Sequence, residues 1–278
     1  REFALSGQGS YVVEGENGLV VVALPIFRDG SLDGAVLVQA ERPPEVTDAL
    51  ASLRDERLTA LGLAVLVAAA REAFEECGVL FAREIGASDL LSGKRAAALG
   101  AAYREDMEAG KISLADVAEA EGLRLALDRL THFAHWITPP HMPKRFDTHF
   151  FLAEAPIDHV LAHDGRESVD SVWISPARAC LEADAGQYTI IFPTRLNVEK
   201  VGQSPTVAAA IAAAKAAKVV TVLPESEKVE GGRIMRIPLE AGYGAAELFV
   251  EGGPGKAARI RFADGRERDT LMAMKAID

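Results

Sequence analysis

Residues Leu58 to Ala70 form a thirteen-residue stretch without a charge, apolar but for Thr59 and Gly62, that runs straight into Arg71-Glu72. It is the longest apolar stretch in the chain, and a membrane-spanning helix needs about 20 such residues. The expectation is a buried helix around which the rest of the chain packs. Pro43-Pro44 opens the helical region, with Pro44 suited to a first helical position. Residues 45–77 contain no proline and one glycine, Gly62, which predicts one or two helices. Gly78 follows the last periodic residue, where a left-handed cap belongs.

The flanking texture is different. Residues 19–27 (LVVVALPIF) and 35–39 (AVLVQ), separated by the turn-like Arg28-Asp29-Gly30, read as two strands. Residues 94–109 read as a helix stopped by Gly110, and Ser113 with Asp116 forms a capping-box start for a short helix, so 84–131 is expected to be mainly helical. Residues 146–153 (FDTHFFLA) and 169–174 (VDSVWI) have strand composition. Ser175-Pro176 and Ser204-Pro205 each resemble a cap followed by a first-turn proline, the second ahead of a helix at 206–217. From 218 onward, short apolar runs alternate with glycine, proline and charged turns, a β-rich tail. Strands, then helices, then strands predict an α/β chain, with 1–217 as one domain and 218–278 as an extension packed on it.

Charge narrows the function. Lys and Arg number 30 and Asp and Glu 41, a formal balance of 30 − 41 = −11. Sequence-blind nucleic-acid binding needs a basic footprint, so it is not expected. A small anionic substrate is allowed if a metal ion or local Arg and Lys compensates. Cys77 and Cys180 are too few and too far apart for a disulfide framework. With no charged-then-apolar leader and no membrane-length segment, a reduced, cytoplasmic setting is the expectation.

The chemistry concentrates in Arg71-Glu72-Ala73-Phe74-Glu75-Glu76-Cys77-Gly78-Val79. On a helix, positions 72, 75 and 76 stand at i, i+3 and i+4 and share one face. Arg71 lies four residues before Glu75 and can pair with it. Leu66, Ala70, Ala73 and Phe74 fall on the opposite face, toward a core. A solvated acidic face would account for the charges alone. A hard cation would account for their crowding, since Mg²⁺ prefers oxygen ligands and keeps waters that phosphate chemistry uses.

The order of these residues resembles the second half of the Nudix signature: Arg-Glu, an apolar residue, any residue, Glu-Glu, any residue, Gly, an apolar residue. Every fixed position is filled. Residues 136–152 (WITPPHMPKRFDTHFFL), 173–176 (WISP) and 192–200 (FPTRLNVEK) resemble segments of the family's coenzyme A diphosphatase branch, the one with a helical insertion. The resemblance covers roughly 65–215 and implies a Nudix-type α/β/α sandwich. The first half of the signature is not found: Arg57 and Leu63 stand where it has Gly and Glu, and no Phe-Pro-Gly-Gly strand end occurs upstream. After 35–39 the chain reads Ala40-Glu41-Arg42-Pro43-Pro44 instead.

The resemblance implies a Mg²⁺- or Mn²⁺-dependent hydrolase of a nucleotide-linked diphosphate, with coenzyme A or an acyl-coenzyme A as substrate. Glu75 and Glu76 match the metal-binding pair, Glu72 a ligand or base, and Arg71 the residue that orients the carboxylates. Glu167, six residues before Trp173, is the candidate for a further metal-linked glutamate. Lys144 and Arg145, just before a strand, are candidates to meet phosphates. A homodimer follows by analogy with the family. The second reading, motivated by the missing glycine half, is a Nudix-like module that binds a nucleotide as sensor or scaffold without cleaving it.

Other signals carry less. His132 and His135 are spaced His-x-x-His, but a regular strand would put their rings on opposite faces, so zinc is not expected there. Gly252-Gly253-Pro254-Gly255-Lys256 lacks the first Gly and the Ser/Thr of a phosphate loop and reads as a turn. Cys77 has no base beside it in sequence and reads as a buried thiol.

Overall fold

The computed structural model describes residues 35–42, 56–142, 145–156, 158–160, 174–251 and 260–265. The strand expected at 19–27, residues 43–55, the expected strand at 169–174 up to Trp173, Lys144, Glu167 and the turn at 252–256 lie outside the described residues. In chain order the elements are β1 (Ala35–Arg42), α1 (Glu56–Cys77), β2 (Ala82–Glu84), α2 (Gly93–Glu108), α3 (Leu114–Ala120), β3 (Leu123–Leu125), β4 (Thr131–Ile137) and β5 (Asp147–Glu154). They continue with α4 (Pro176–Asp184), α5 (Phe192–Val201), α6 (Val207–Ala216), β6 (Thr221–Val222), β7 (Glu225–Val229), β8 (Gly232–Arg236), β9 (Glu247–Glu251) and β10 (Ile260–Phe262).

The chain is α/β. Its central sheet has the order β1-β5-β4-β6. β5 pairs antiparallel with β1 and with β4, and β6 adds a parallel edge to β4. Alternation along β5 separates the two faces. Phe150 and Leu152 point to a core built with α4, α5 and α6, including Cys180, Leu196, Val198 and Ala210. Phe151 and Ala153 point to a second core with Ala69, Ala70, Ala73, Phe74 and Cys77 of α1 and with Leu99 and Val117 of α2 and α3. The sheet therefore lies between two helical layers.

Local signals explain most element ends. Ser113 and Asp116 form the reciprocal capping box that opens α3. Ser175 caps α4, with Pro176 in the first turn. At α6 the cap is Thr206, whose side chain accepts from the Ala209 amide, rather than Ser204. Between α1 and β4, β2 and β3 pair antiparallel and bracket α2 and α3, so the segment expected to be mainly helical also carries its own two-stranded ribbon. Buried Arg83 in that ribbon binds Asp128 through both guanidinium nitrogens, at 2.6 and 2.7 Å. This hydrogen-bonded pair holds the Asp128 carboxyl down at about 2. A folded-state value below the ordinary 3.8 contributes stability above pH ~4, which is lost as pH falls through about 2. Urea midpoints of wild type and Asp128→Asn should therefore differ at neutral pH and converge toward pH 2.

The β-rich tail divides. β6 completes the central sheet, whereas β7 to β10 form an antiparallel meander of order β10-β9-β8-β7. Ile237, Ala241, Tyr243 and Leu248 of this tail are buried in the core that holds α4 to α6. Tyr243 is the tie. Its hydroxyl accepts from Trp136 Nε1 at 2.9 Å and donates to Asn197 Oδ1 at 2.7 Å, linking sheet, helix and tail. Burial pushes its phenol upward, so it stays protonated. Lys200 donates to the Ala241 carbonyl at 2.9 Å and lies over the rings of Phe133 and Tyr243. Tyr243→Phe leaves the indole N–H and the amide oxygen without that hydroxyl. The expected loss is about 2 kcal/mol, or a melting temperature lower by roughly 4–8 °C, read by calorimetry.

Candidate active site and a histidine cluster

Helix α1 carries the glutamates in its last two turns. Ala69, Ala70, Ala73 and Phe74 are fully buried, which anchors the face expected in the core. The acidic face is buried too. Glu72 is 1 % exposed, Glu75 7 % and Glu76 6 %, so this is not a solvated charge run. Arg71, 41 % exposed at its side chain, bonds Glu72 and, at 3.0 Å, Glu75. With every carboxylate ionised, the four side chains sum formally to 1 − 3 = −2. Arg104, on α2, donates Nε to the Glu75 carbonyl at 3.0 Å and so fixes the backbone of the acidic turn. No motif pointed to Arg104, because it reaches α1 only through packing of the two helices.

The helix ends as expected. Gly78 takes φ 71° and donates to Phe74 O at 3.0 Å, and Val79 donates to Ala73 O at 3.0 Å. A side chain at 78 would be strained in that conformation. The turn sends the chain into the fully packed Val79-Leu80-Phe81-Ala82 run, so the glutamates sit against a rigid support.

Glu72, Glu75 and Glu76 are three buried carboxylates on neighbouring positions of one helix and offer only oxygen donors. That chemistry fits a hard divalent cation such as Mg²⁺ or Mn²⁺. Burying carboxylates is costly without opposite charge, which makes a cation at this face physically reasonable. Arg145 lies in the β4–β5 connection, where its Nε donates to the Thr138 carbonyl at 3.1 Å. Of the residues singled out from sequence, Arg71 pairs with Glu72 and Glu75, and Glu76 is buried on the same stretch of helix.

A second cluster stands on β4 and β5. The β4–β5 register shifts between His132 and Ala134, with Phe133 as the extra residue of a bulge. Phe133 and Ala134 both enter the same core, and the alternation is reset by one residue. His132 and His135 consequently share a face, correcting the expectation for a regular strand. His135 pairs across the ladder with His149, and their rings stack at 4.0 Å and 9°. His135 Nε2 is 2.5 Å from Asp147 Oδ1, and His149 Nε2 is 3.7 Å from the same oxygen. His132 Nε2 lies 3.1 Å from His149 Nδ1. Burial, with His135 nearby, depresses the His132 pKa, favouring a neutral ring. Only the pairing of β4 with β5 assembles this group, and the His-x-x-His spacing was its one sequence trace.

No family model matches the chain, and no curated protein matches it. Among solved structures, the chain is similar to a Nudix hydrolase from Alicyclobacillus acidocaldarius, at 21% sequence identity and a TM-score of 0.42, over 70% of this chain and 91% of that one. A likeness at that level does not identify an activity, which has to come from the site itself. Among the described residues no helix is long and apolar enough to cross a membrane.

Proposed function

We propose that this chain is a Nudix-type hydrolase that cleaves the diphosphate of a nucleotide-linked substrate, with coenzyme A or an acyl-coenzyme A as the favoured class. One observation carries the reading. Glu72, Glu75 and Glu76, which stand in the Nudix order before Gly78, are all buried on one stretch of helix, and Arg71 pairs with Glu72 and Glu75. The segments resembling the coenzyme A branch support the substrate class.

Glu72, Glu75 and Glu76 are the side chains that would hold Mg²⁺ or Mn²⁺. A bound divalent ion supplies charge neutralisation at phosphoryl oxygens and acidifies a water. Arg71 holds the Glu72 and Glu75 carboxylates in place. Arg104 keeps the Glu75 main chain from shifting. Such fixed orientation is the main protein contribution in phosphoryl chemistry. By the resemblance, Glu72 either joins Glu75 and Glu76 in holding the metal or takes the proton of the attacking water. Glu167 as a further ligand, Lys144 and Arg145 as phosphate contacts, and a homodimer remain part of the proposal through the resemblance.

The test is a hydrolysis panel of coenzyme A, an acyl-coenzyme A, ADP-ribose, NADH and a dinucleoside polyphosphate, each with Mg²⁺ or Mn²⁺. Metal-dependent release of two phosphorylated products from one member supports the hydrolase and names its substrate. Nucleotide binding without cleavage of any member rejects it in favour of a sensor or scaffold.

A further inference from the structure

We infer that His135, Asp147 and His149 form a binding site for a transition-metal ion of the Zn²⁺ type, separate in donor chemistry from the all-carboxylate face of α1. The ligand atoms are two imidazole nitrogens and one carboxylate oxygen, all within 4.8 Å of one another. Zinc–nitrogen and zinc–oxygen bonds of about 2.0–2.1 Å in a tetrahedron put ligand atoms about 3.3 Å apart. The observed 2.5 and 3.7 Å to Asp147 Oδ1 straddle that spacing. His135 and His149 now stack face to face at 4.0 Å and 9°, so binding one ion requires the two rings to turn out of the stack until both nitrogens converge on it.

The backbone is built for it. His135 and His149 are direct cross-strand partners, and Asp147 lies two residues before His149, on the same face of β5. The nitrogens that would not bind metal are engaged. His135 Nδ1 lies 2.8 Å from Thr221 Oγ1 on β6, and His149 Nδ1 lies 3.1 Å from His132 Nε2. Ligating histidines are typically oriented in this way by a partner on the second nitrogen. Asp147 is 1 % exposed, while the His135 and His149 side chains are 13 % and 16 % exposed, so the group has a buried base and an edge open to solvent. Mixed imidazole and carboxylate ligands suit Zn²⁺ and its neighbours and are poor ligands for Mg²⁺. Three protein ligands leave a fourth position for water or an anionic group.

The experiment is calorimetric titration of the chelator-stripped full chain with Zn²⁺ in excess Mg²⁺, which occupies oxygen-only sites. Wild type is expected to take up one equivalent with Kd tighter than about 10 µM. His135→Gln and His149→Gln should each weaken binding at least ~10-fold, whereas Glu76→Gln should leave Kd unchanged. X-ray absorption of the zinc-loaded wild type, which depends on no variant folding, should show two imidazole ligands. Absence of uptake, uptake indifferent to both histidines, uptake lost in Glu76→Gln, or a spectrum without imidazole overturns the site. None of these outcomes bears on whether the hydrolysis panel succeeds.

Discussion

If the chain is the hydrolase proposed above, Glu76→Gln is expected to lower kcat/KM on its nucleotide diphosphate substrate by about 10²–10⁴-fold. The amide keeps the volume and removes the charge. Glu76 is 6 % exposed and shares its turn with Glu72 and Glu75, so a neutral group there weakens the whole oxygen donor set. The loss should fall mainly on kcat and on the metal concentration needed for half-maximal rate. A urea midpoint that does not fall in the metal-free variant would separate a ligand defect from misfolding, since the substitution also relieves crowding of like charges. Retention of more than about a tenth of wild-type activity would remove Glu76 from the mechanism.

Arg195→Ala is expected to cost about 3 kcal/mol of folding stability. The guanidinium is buried on α5 and reaches Asp184 through two nitrogens at 2.8 and 2.9 Å, Glu199 at 2.8 Å and the Cys180 carbonyl at 3.3 Å. It is the joint between α4 and α5. Burial works to lower its pKa, but hydrogen bonds to Asp184 and Glu199 outweigh that and hold it above the usual arginine value, so it stays charged. Truncation leaves Glu199, nearly buried, without that cation. Arg195→Lys should recover less than half of the loss, because an ammonium cannot make the two-pronged contact to Asp184. Denaturant unfolding at neutral pH reads both, and a cost under about 1 kcal/mol would show the joint to be dispensable.

The segment 192–200 shows how a motif can be legible while its job is not. Phe192 to Lys200 stood out by resemblance, yet nothing local says that Arg195 clamps a helix, that Asn197 meets Tyr243, or that Lys200 sits over two rings. Those partners lie 11, 46, 67 and 43 residues away, and packing alone selects them.

Local chemistry by itself determined the helix running to Cys77, its glycine stop, the caps at Ser113 and Ser175, the strand around 146–153, and the spacing that puts Glu72, Glu75 and Glu76 on one face. Each of these depends on neighbours within a turn or on the period of a strand, which the order of residues contains. Tertiary structure decided that the acidic face is buried, that the tail gives β6 to the central sheet, and that His132 and His135 point the same way. Burial depends on which layer covers a face. The bulge at Phe133 depends on that ring finding a place in the core beside Ala134. Periodicity along one strand carries neither fact, because both are set by what lies across the sheet.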